Sequence, residues 1–353
     1  MTHAVAASNG EADIVVRSDL PVGRWDDFVA RHAVASKYHL AVWTRVVEDA
    51  FGHETCRLAA DAGGHVVGVL PLVFFDSRLF GRFAVSMPFF NEGGILSASP
   101  QARASLLDAA IVETRRRGGA YLQLRHTTRM FQQLPSKAHK VRMILPLAPS
   151  ADEQWQRLDR KLRNQVRKAE KAGVRITQGG AELLDAFYDV FARNMRDLGT
   201  PVYSRRFFNA VLRHVPEATR VFCAHIADTP IAAAIVVGHR DTLEVPWASS
   251  IREFNPTCAN VLVYWTMLQF AIGAGFTRFD FGRSTPNEGT YHFKRQWGAE
   301  PHPVAWEYWT AEGVALPDLS PHNPRYRTAR AAWQRLPLRV SRLVGPWIVR
   351  SIP

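Results

Sequence analysis

Hydrophobic and polar positions follow two successive series along this chain, and both series predict the same order of elements. In each, helical periodicity precedes three β-rich runs, and one helix and two further strands follow. A proline followed by an aromatic residue ends the third strand of each series, at 88–89 and 246–247. From that proline to the aromatic residue of the strand after the helix is 33 residues both times, to Tyr121 and to Phe279. Matching order and spacing predict a duplicated α/β unit.

A helix that joins two neighbouring strands is a crossover, which makes the two strands parallel. The helix near 259–273 should therefore place the strands at 242–249 and 277–282 side by side and parallel in one sheet. We expect an α/β fold with mixed, twisted sheets flanked by helices. The predicted domains are an N-terminal unit over 1–150, a second unit over 151–315 that a basic helix introduces, and a basic tail over 316–353.

The net charge of +12 arises in two segments. Residues 157–175 contain eight Lys or Arg against two acids, and residues 322–353 contain seven Arg and no acid. For the first segment we expect a solvated helix face, with tRNA contact as the alternative. For the tail, which contains Trp333 and Trp347, we expect a short packed helix broken at its prolines. The alternative is weak, salt-sensitive contact with an anionic membrane surface.

Several classes of protein are excluded by what the sequence lacks. Its three cysteines are far apart without a CxxC pair, so neither a disulfide scaffold nor a zinc ribbon is expected, and we predict no metal site. The longest apolar stretch, 261–276, is shorter than the ~20 residues that span a bilayer. The N-terminus does not resemble a signal peptide, and we expect a cytoplasmic monomer. An Arg-x-x-Gly-x-Ala pattern at 115–120 ends a helix, where the dipole disfavours phosphate, so we interpret it as a C-cap.

Polar and aromatic residues concentrate in the loops that follow the strands at 242–249 and 277–282. Because parallel neighbours end at the same edge of a sheet, these loops should form a polar pocket with apolar walls. Trp247, Tyr291 and Trp297 are expected to serve as pocket wall or as core. Asn260 has a helix cap as its alternative, and the two arginines have structural ion pairs as theirs. The predicted substrate-binding residues are Trp247, Ser249, Ser250, Arg252, Asn255, Asn260, Arg283, Ser284, Thr290, Tyr291, Phe293 and Trp297.

Four segments together carry a family resemblance. They are LFG…SMPFFN…GGI from residue 79, KLRNQVRKAEKAGV from 161, PWASS…REFNP…CAN from 246, and FDFGRSTP…GTY…FK…QWGAEP from 279. Over about 35–315 the chain resembles the FemAB-related proteins associated with the PEP-CTERM/exosortase system, and more widely the FemABX aminoacyl transferases and BioF2-like acyltransferases. The resemblance implies tandem GNAT-like domains.

The resemblance also implies a reaction: transfer of an acyl group to an amine. The donor would be acyl-coenzyme A or aminoacyl-tRNA, with no permanently bound cofactor. The acceptor would be a small-molecule or lipid-linked precursor of the cell envelope or of an exopolysaccharide. A hypothesis from another class is a non-catalytic basic adaptor for RNA or for the inner face of the membrane, which would require one continuous basic face.

Two residues are predicted to be catalytic, Lys294 and Asp280. Lys294 follows Phe293 in the FK-x-x-[FW]-G motif, whose lysine lies near the reacting groups of FemABX sites. Amide formation needs a stabilised oxyanion, so Lys294 should donate to that oxygen or to a phosphate of the acceptor. We predict that Lys294→Ala removes most transfer activity and leaves the melting temperature nearly unchanged, with a solvated surface lysine as the alternative. Asp280 alternates with two phenylalanines, so it should be buried, either as a general base of raised pKa or in a salt bridge.

Overall fold

The computed structural model describes residues 13–78, 80–316 and 327–353, and within them the strands form two mixed sheets. The strands are β1 (Ile14–Arg17), β2 (Glu54–Ala62), β3 (His65–Ser77), β4 (Gly81–Val85), β5 (Leu96–Ser97), β6 (Tyr121–His126), β7 (Ser136–Lys137), β8 (Val141–Pro146), β9 (Arg175–Gly179), β10 (Thr219–Ile226), β11 (Thr229–His239), β12 (Thr242–Ser250), β13 (Arg278–Ser284), β14 (Glu300–Pro303) and β15 (Ala305–Thr310).

Helices cover and connect these strands, and short 3-10 turns lie at Lys37–His39, Ala181–Leu183 and Arg252–Thr257. The helices are α1 (Val22–Arg31), α2 (Val42–Phe51), α3 (Pro100–Arg116), α4 (Ala151–Arg157), α5 (Arg160–Lys171), α6 (Leu184–Leu198), α7 (Arg205–His214), α8 (Ala259–Gly273), α9 (Gly289–Arg295), α10 (Arg327–Gln334) and α11 (Leu338–Val349). Within the described ranges, none is both long and apolar enough to span a bilayer.

The two sheets repeat one topology. The first runs β1-β2-β3-β4-β6-β15-β7, with β5 beside β3, and the second runs β14-β8-β13-β12-β11-β10-β9. The helix α3 joins β4 to β6, and α8 joins β12 to β13; each of these strand pairs is parallel. The predicted α/β fold, its duplication and its parallel crossover pairs are therefore confirmed.

The strands at the junction of the two repeats exchange sheets. From the N-terminal side, β8 pairs with β13 of the second sheet, so that Ile144 faces Asp280. From the C-terminal side, β15 pairs with β6 of the first sheet, so that Trp306 faces Arg125. A domain boundary at residue 150 would therefore assign β8 and β15 to the wrong sheets. In each sheet, the strand beside the parallel pair comes from the other repeat. The two units are thus interlocked.

A continuous apolar core lies between the sheets. Phe75 and Phe83 enter it from the first sheet, Ile235 and Trp247 from the second, and α2, α6 and α7 pack around it. The outer face of the first sheet packs against α3, and that of the second packs against α5 and α8. Because the two sheets share this inner core, side chains near the ends of β6 and β13 lie close to one another.

The second unit begins with two helices, α4 and α5, rather than with the one basic helix that was expected to introduce it. Helix α4 ends before Leu158, and the carboxylate of Asp159 then accepts a hydrogen bond from the backbone N–H of Leu162 at 2.6 Å, which starts α5. Leu162, Val166 and Ala169 are buried, so the predicted inward face is confirmed. The C-cap interpretation of 115–120 is also confirmed, because α3 ends at Arg116 and the backbone then turns at Gly118 with φ +70°.

Candidate functional site

The strands β12 and β13 diverge at the edge where the site was predicted. Their parallel pairing covers three positions, from Thr242 opposite Arg278 to Glu244 opposite Asp280. Both strands continue beyond this point, to residues 250 and 284, without pairing with each other, while β12 stays paired with β11 and β13 with β8. The two loops rich in polar residues begin at this edge. The prediction that strands 242–249 and 277–282 belong to one sheet is confirmed, and their carboxyl ends separate at the edge where α/β sheets commonly bind ligands.

Lys294 holds the end of β13. The side chain lies on α9 and is buried, and its ammonium donates hydrogen bonds to the carbonyl oxygens of Arg283 at 2.7 Å and Gly282 at 3.2 Å. Gly282 has φ +72°, a left-handed conformation that turns its carbonyl toward α9 and favours glycine. Burial lowers the pKa of Lys294 to about 8. Burial of Lys294 excludes the alternative of a solvated surface lysine. Because its head group satisfies two backbone carbonyls, we expect replacement of Lys294 to lower the melting temperature, contrary to the expectation from the sequence.

Asp280 is a salt-bridge partner. Its Oδ2 accepts hydrogen bonds from Arg142 at 2.6 and 2.9 Å, and its Oδ1 accepts one from the backbone N–H of Gly282 at 2.8 Å. Burial acts to raise the pKa of Asp280, but the adjacent Arg142 guanidinium outweighs burial and holds the pKa below its ordinary value. The prediction of a raised pKa is therefore wrong, and the salt-bridge alternative is confirmed. A carboxylate so engaged is poorly suited to take a proton.

Arg142 and Glu244 extend this ion pair into a buried network between the sheets. The third guanidinium nitrogen of Arg142 donates to Glu92 at 2.7 Å. Glu244 accepts hydrogen bonds from Lys37 at 2.6 Å, from the Tyr38 hydroxyl at 2.8 Å and from the side-chain amide of Asn91 at 2.9 Å. The sequence analysis missed all of these residues. The sequence did contain one signal for this network: Glu244 is an acidic residue within the apolar run of β12.

Most of the predicted aromatic candidates are core residues. Phe293 and Trp297 pack with Tyr264 and Phe281, at ring-centroid distances of 5.1 to 6.3 Å, and this cluster seats α9 on α8 and β13. Trp247 is 5% exposed and lies edge-on to two phenylalanines of α7. Of the two alternatives for Trp247 and Trp297, pocket wall or core, core packing is confirmed, whereas Phe293 is only partly buried.

The remaining candidates divide between the strand ends and the surface. Ser249 is buried and accepts a hydrogen bond from the Asn194 amide at 2.9 Å, and the buried Ser284 hydroxyl has no partner within the described residues. Asn260 lies in the first turn of α8 but does not cap it, because Cys258 occupies the cap position without a side-chain bond. The half-buried or exposed members are Ser250, Arg252, Asn255, Thr290 and Tyr291.

A second arginine, which the sequence analysis missed, lies near Arg283. The Arg125 guanidinium is 4.2 Å from the ring centroid of Trp306, and that of Arg283 is 4.6 Å from the same centroid. The repeat spacing contained the signal for Arg125. It stands 37 residues after Pro88, and Arg283 stands 37 residues after Pro246. The structure therefore brings Arg125 and Arg283 onto one tryptophan from equivalent ends of the two post-helix strands, and Lys294 of α9 binds the backbone carbonyl of Arg283.

Two depressions lie away from this edge. A cleft of about 430 Å³ opens where β12 and β13 begin, and Lys37, Glu92, Arg142 and His239 contribute to its lining. A more open groove of about 490 Å³ follows the polar face of α5. Among the described residues, no group of three or more His, Cys, Asp or Glu side chains is arranged to hold a metal ion.

Comparisons with known proteins place this geometry in context. Residues 156–295 match the acetyltransferase (GNAT) domain family. No curated protein sequence matches the chain. A crystal structure of FemX aligns with a TM-score of 0.64 at 15% identity, covering 90% of this chain and all of FemX.

Two further solved structures share the architecture. A tandem GNAT protein from the clavulanic acid biosynthesis pathway aligns with a TM-score of 0.54 at 15% identity, covering 87% of this chain and all of that one. The C-terminal domain of a putative lysylphosphatidylglycerol synthetase from Agrobacterium fabrum aligns with a TM-score of 0.55 at 12% identity, covering 81% and 90% of the two chains. The chain therefore has the tandem GNAT-like fold seen in FemX, and its second repeat matches the acetyltransferase (GNAT) domain.

Proposed function

We propose that this protein transfers an acyl or aminoacyl group to an amino group of a cell-envelope or exopolysaccharide-related precursor. The observation that carries the proposal is the ammonium of Lys294, fixed at the edge where β12 and β13 diverge, inside the segment that matches the acetyltransferase (GNAT) domain. The fold shared with FemX supports the same chemistry. The motif resemblance to PEP-CTERM-associated proteins supports the class of acceptor.

Lys294 suits a donor role in this reaction. An ammonium has three N–H donors, and two of them are directed to the carbonyls of residues 282 and 283, so one remains for a substrate oxygen. With a pKa of about 8, the side chain is largely protonated at neutral pH. Its third N–H would stabilise the developing oxyanion or an acceptor phosphate. Because Asp280 is held by Arg142, the amine proton would leave to the substrate or to solvent.

The donor is acyl-coenzyme A or aminoacyl-tRNA, and the two donors can be separated experimentally. The purified chain would be incubated with isotopically labelled acyl-coenzyme A or with charged tRNA, together with amino sugars, nucleotide-linked amino sugars and lipid-linked precursors. Mass spectrometry should detect an amide that carries the label from one donor and not from the other. Absence of both transfer and saturable donor binding would reject the proposal.

We also propose that α11 gives the cytoplasmic protein a weak peripheral contact with an anionic membrane. The predicted break at Pro337 is confirmed, because Pro337 separates α10 from α11. The predicted break at Pro346 is wrong, because α11 continues through that residue. Its inner face packs on α6, where Arg342 pairs with Asp189 at 2.6 Å. Its outer face presents an apolar row at positions i, i+3, i+4 and i+7, with the arginines of the tail nearby. The row consists of Val340, Leu343, Val344 and Trp347, with the second and last 72% and 74% exposed.

Vesicle binding tests this contact. Wild-type protein should co-sediment with anionic vesicles at low salt and be released at moderate salt, because exposed cations attract the surface by about 1 kcal/mol each. The double variant Leu343→Ser, Trp347→Ser should bind several-fold less. Val112→Ser, at a 59%-exposed position on α3, is the matched control and should bind like wild type. Equal binding of all three proteins would exclude α11 as the contact.

A further inference from the structure

Two guanidinium groups lie against one indole ring without an acidic partner. Arg125, which is 1% exposed, donates to the carbonyl of Phe90 at 2.8 Å and to the side chain of Gln123 at 3.2 Å, while its Nε has no partner. Arg283 is half-buried, and its guanidinium contacts the same ring, that of Trp306. Within the described part of the chain, neither arginine forms an ion pair with a carboxylate.

The indole ring that both guanidinium groups contact is itself held in place. The indole N–H of Trp306 donates to the carbonyl of Asn91 at 3.2 Å, and Trp306 faces Arg125 across the β6–β15 pair. Tyr308 lies two residues further on β15 and accepts a hydrogen bond from the Gln123 amide at 2.6 Å. The arginines therefore project from the ends of equivalent strands in the two repeats onto a tryptophan supplied by the exchanged strand.

This arrangement is electrostatically uncompensated. Burial lowers the pKa of both arginines, and the positive charge of Arg283 lowers that of Arg125 further. The carboxylate of Glu244 acts on Arg283 through its charge, but its oxygens are already engaged by Lys37, Tyr38 and Asn91. Contact with an indole face recovers part of the cost of burying a cation, but not the repulsion between two of them. An anion would relieve both.

We propose that Arg125 and Arg283 together bind an anionic group of the acceptor, a carboxylate or a phosphate. This inference rests on the proposed function and names the class of acceptor, an amine that also carries an anion. Planar guanidinium groups match the oxygens of carboxylates and phosphates and bind them by paired N–H donors. The carbonyl of Arg283 itself binds Lys294, so an anion anchored here would place the rest of the acceptor beside the edge where β12 and β13 diverge.

Anion binding can be measured without a donor or a reaction, so it succeeds or fails independently of acyl transfer. The probes are inorganic phosphate and acetate at millimolar concentrations, with sodium chloride at matched ionic strength as the reference. Thermal unfolding and titration calorimetry of the full chain should show saturable binding of one or both probes. The preferred probe then identifies phosphate or carboxylate as the acceptor's anionic group.

Arg283→Gln should weaken binding of the preferred probe by about tenfold or more, since a charge-assisted pair of hydrogen bonds is lost. Arg283→Lys should retain part of the affinity. Arg125→Lys provides a second variant that keeps the buried charge if Arg125→Gln does not fold. The matched control is Arg278→Gln on the same strand, at an exposed arginine that pairs with Asp241. The proposal is overturned if neither probe binds saturably, or if Arg283→Gln binds as tightly as the control.

Discussion

Replacing Arg142 with methionine should lower the free energy of unfolding by about 3–5 kcal/mol, the usual cost of removing one partner from a buried ion pair. Methionine keeps much of the apolar stem but leaves Asp280 fully buried without its cation, and Glu92 loses the same partner. Denaturant unfolding at pH 7 measures the difference. The two carboxylates come from different repeats, so the substitution weakens the junction between them.

A matched surface variant separates this effect from the loss of any arginine. Arg278 lies on β13 and pairs with Asp241, and the two side chains are 52% and 49% exposed. Arg278→Met should cost about 0–1 kcal/mol, because solvent screens exposed pairs. If both variants lost the same stability, the buried network would contribute nothing beyond an ordinary surface pair.

The cost of Arg142→Met should also depend on pH. In the wild type, Arg142 holds the pKa of Asp280 below its ordinary value, and the stability from this shift is lost as pH falls through the folded-state pKa. Without Arg142, burial would raise that pKa, so the folded variant would take up a proton as pH falls toward 4. The difference in stability between wild type and variant should therefore narrow from pH 7 to pH 4. If the difference in stability did not change with pH, Arg142 would have no effect on the pKa of Asp280.

Local sequence patterns were sufficient to predict the repeat, but they did not predict that the two repeats exchange strands. Apolar periodicity located the crossover helices, and a crossover determines that the strands beside it are parallel. Residues 141–146 and 303–310 also have the pattern of strands, yet nothing in a strand's own sequence specifies which free edge it joins. That choice depends on contacts between residues far apart in the chain, such as Ile144 with Asp280.

The same limit explains the errors at the site. The FK motif located Lys294, but its burial follows from how α9 folds back on β13. The partner of Asp280, Arg142, lies 138 residues away in sequence and reaches it only because β8 joins the second sheet. The choice between pocket wall and core for Trp247 stayed open, because the sequence around it does not show that α7 packs against it. Arg125 could have been predicted from the sequence, since the repeat spacing aligns it with Arg283.

Replacing Lys294 with methionine should reduce transfer by about 10²–10³-fold per folded molecule, the typical cost of one oxyanion donor. It should also lower the melting temperature, because two buried carbonyls lose their donor, at about 1–3 kcal/mol for each unsatisfied group. Rates must therefore be normalised to the folded fraction, measured by circular dichroism in the assay buffer. A normalised loss of tenfold or less would leave Lys294 a structural role only.

The pH dependence of transfer decides which protonation state of Lys294 acts. With a folded-state pKa of about 8, the ammonium is present below pH 8 and is lost above it. If the cation stabilises an oxyanion or phosphate, kcat should fall as pH rises through 8, whereas a neutral lysine acting as base would make kcat rise there. Lys294→Arg keeps its charge throughout this range, so any activity it retains should lack the fall near pH 8. A fall at the same pH in Lys294→Arg would assign it to another group, and a rise in the wild type would make Lys294 the proton acceptor.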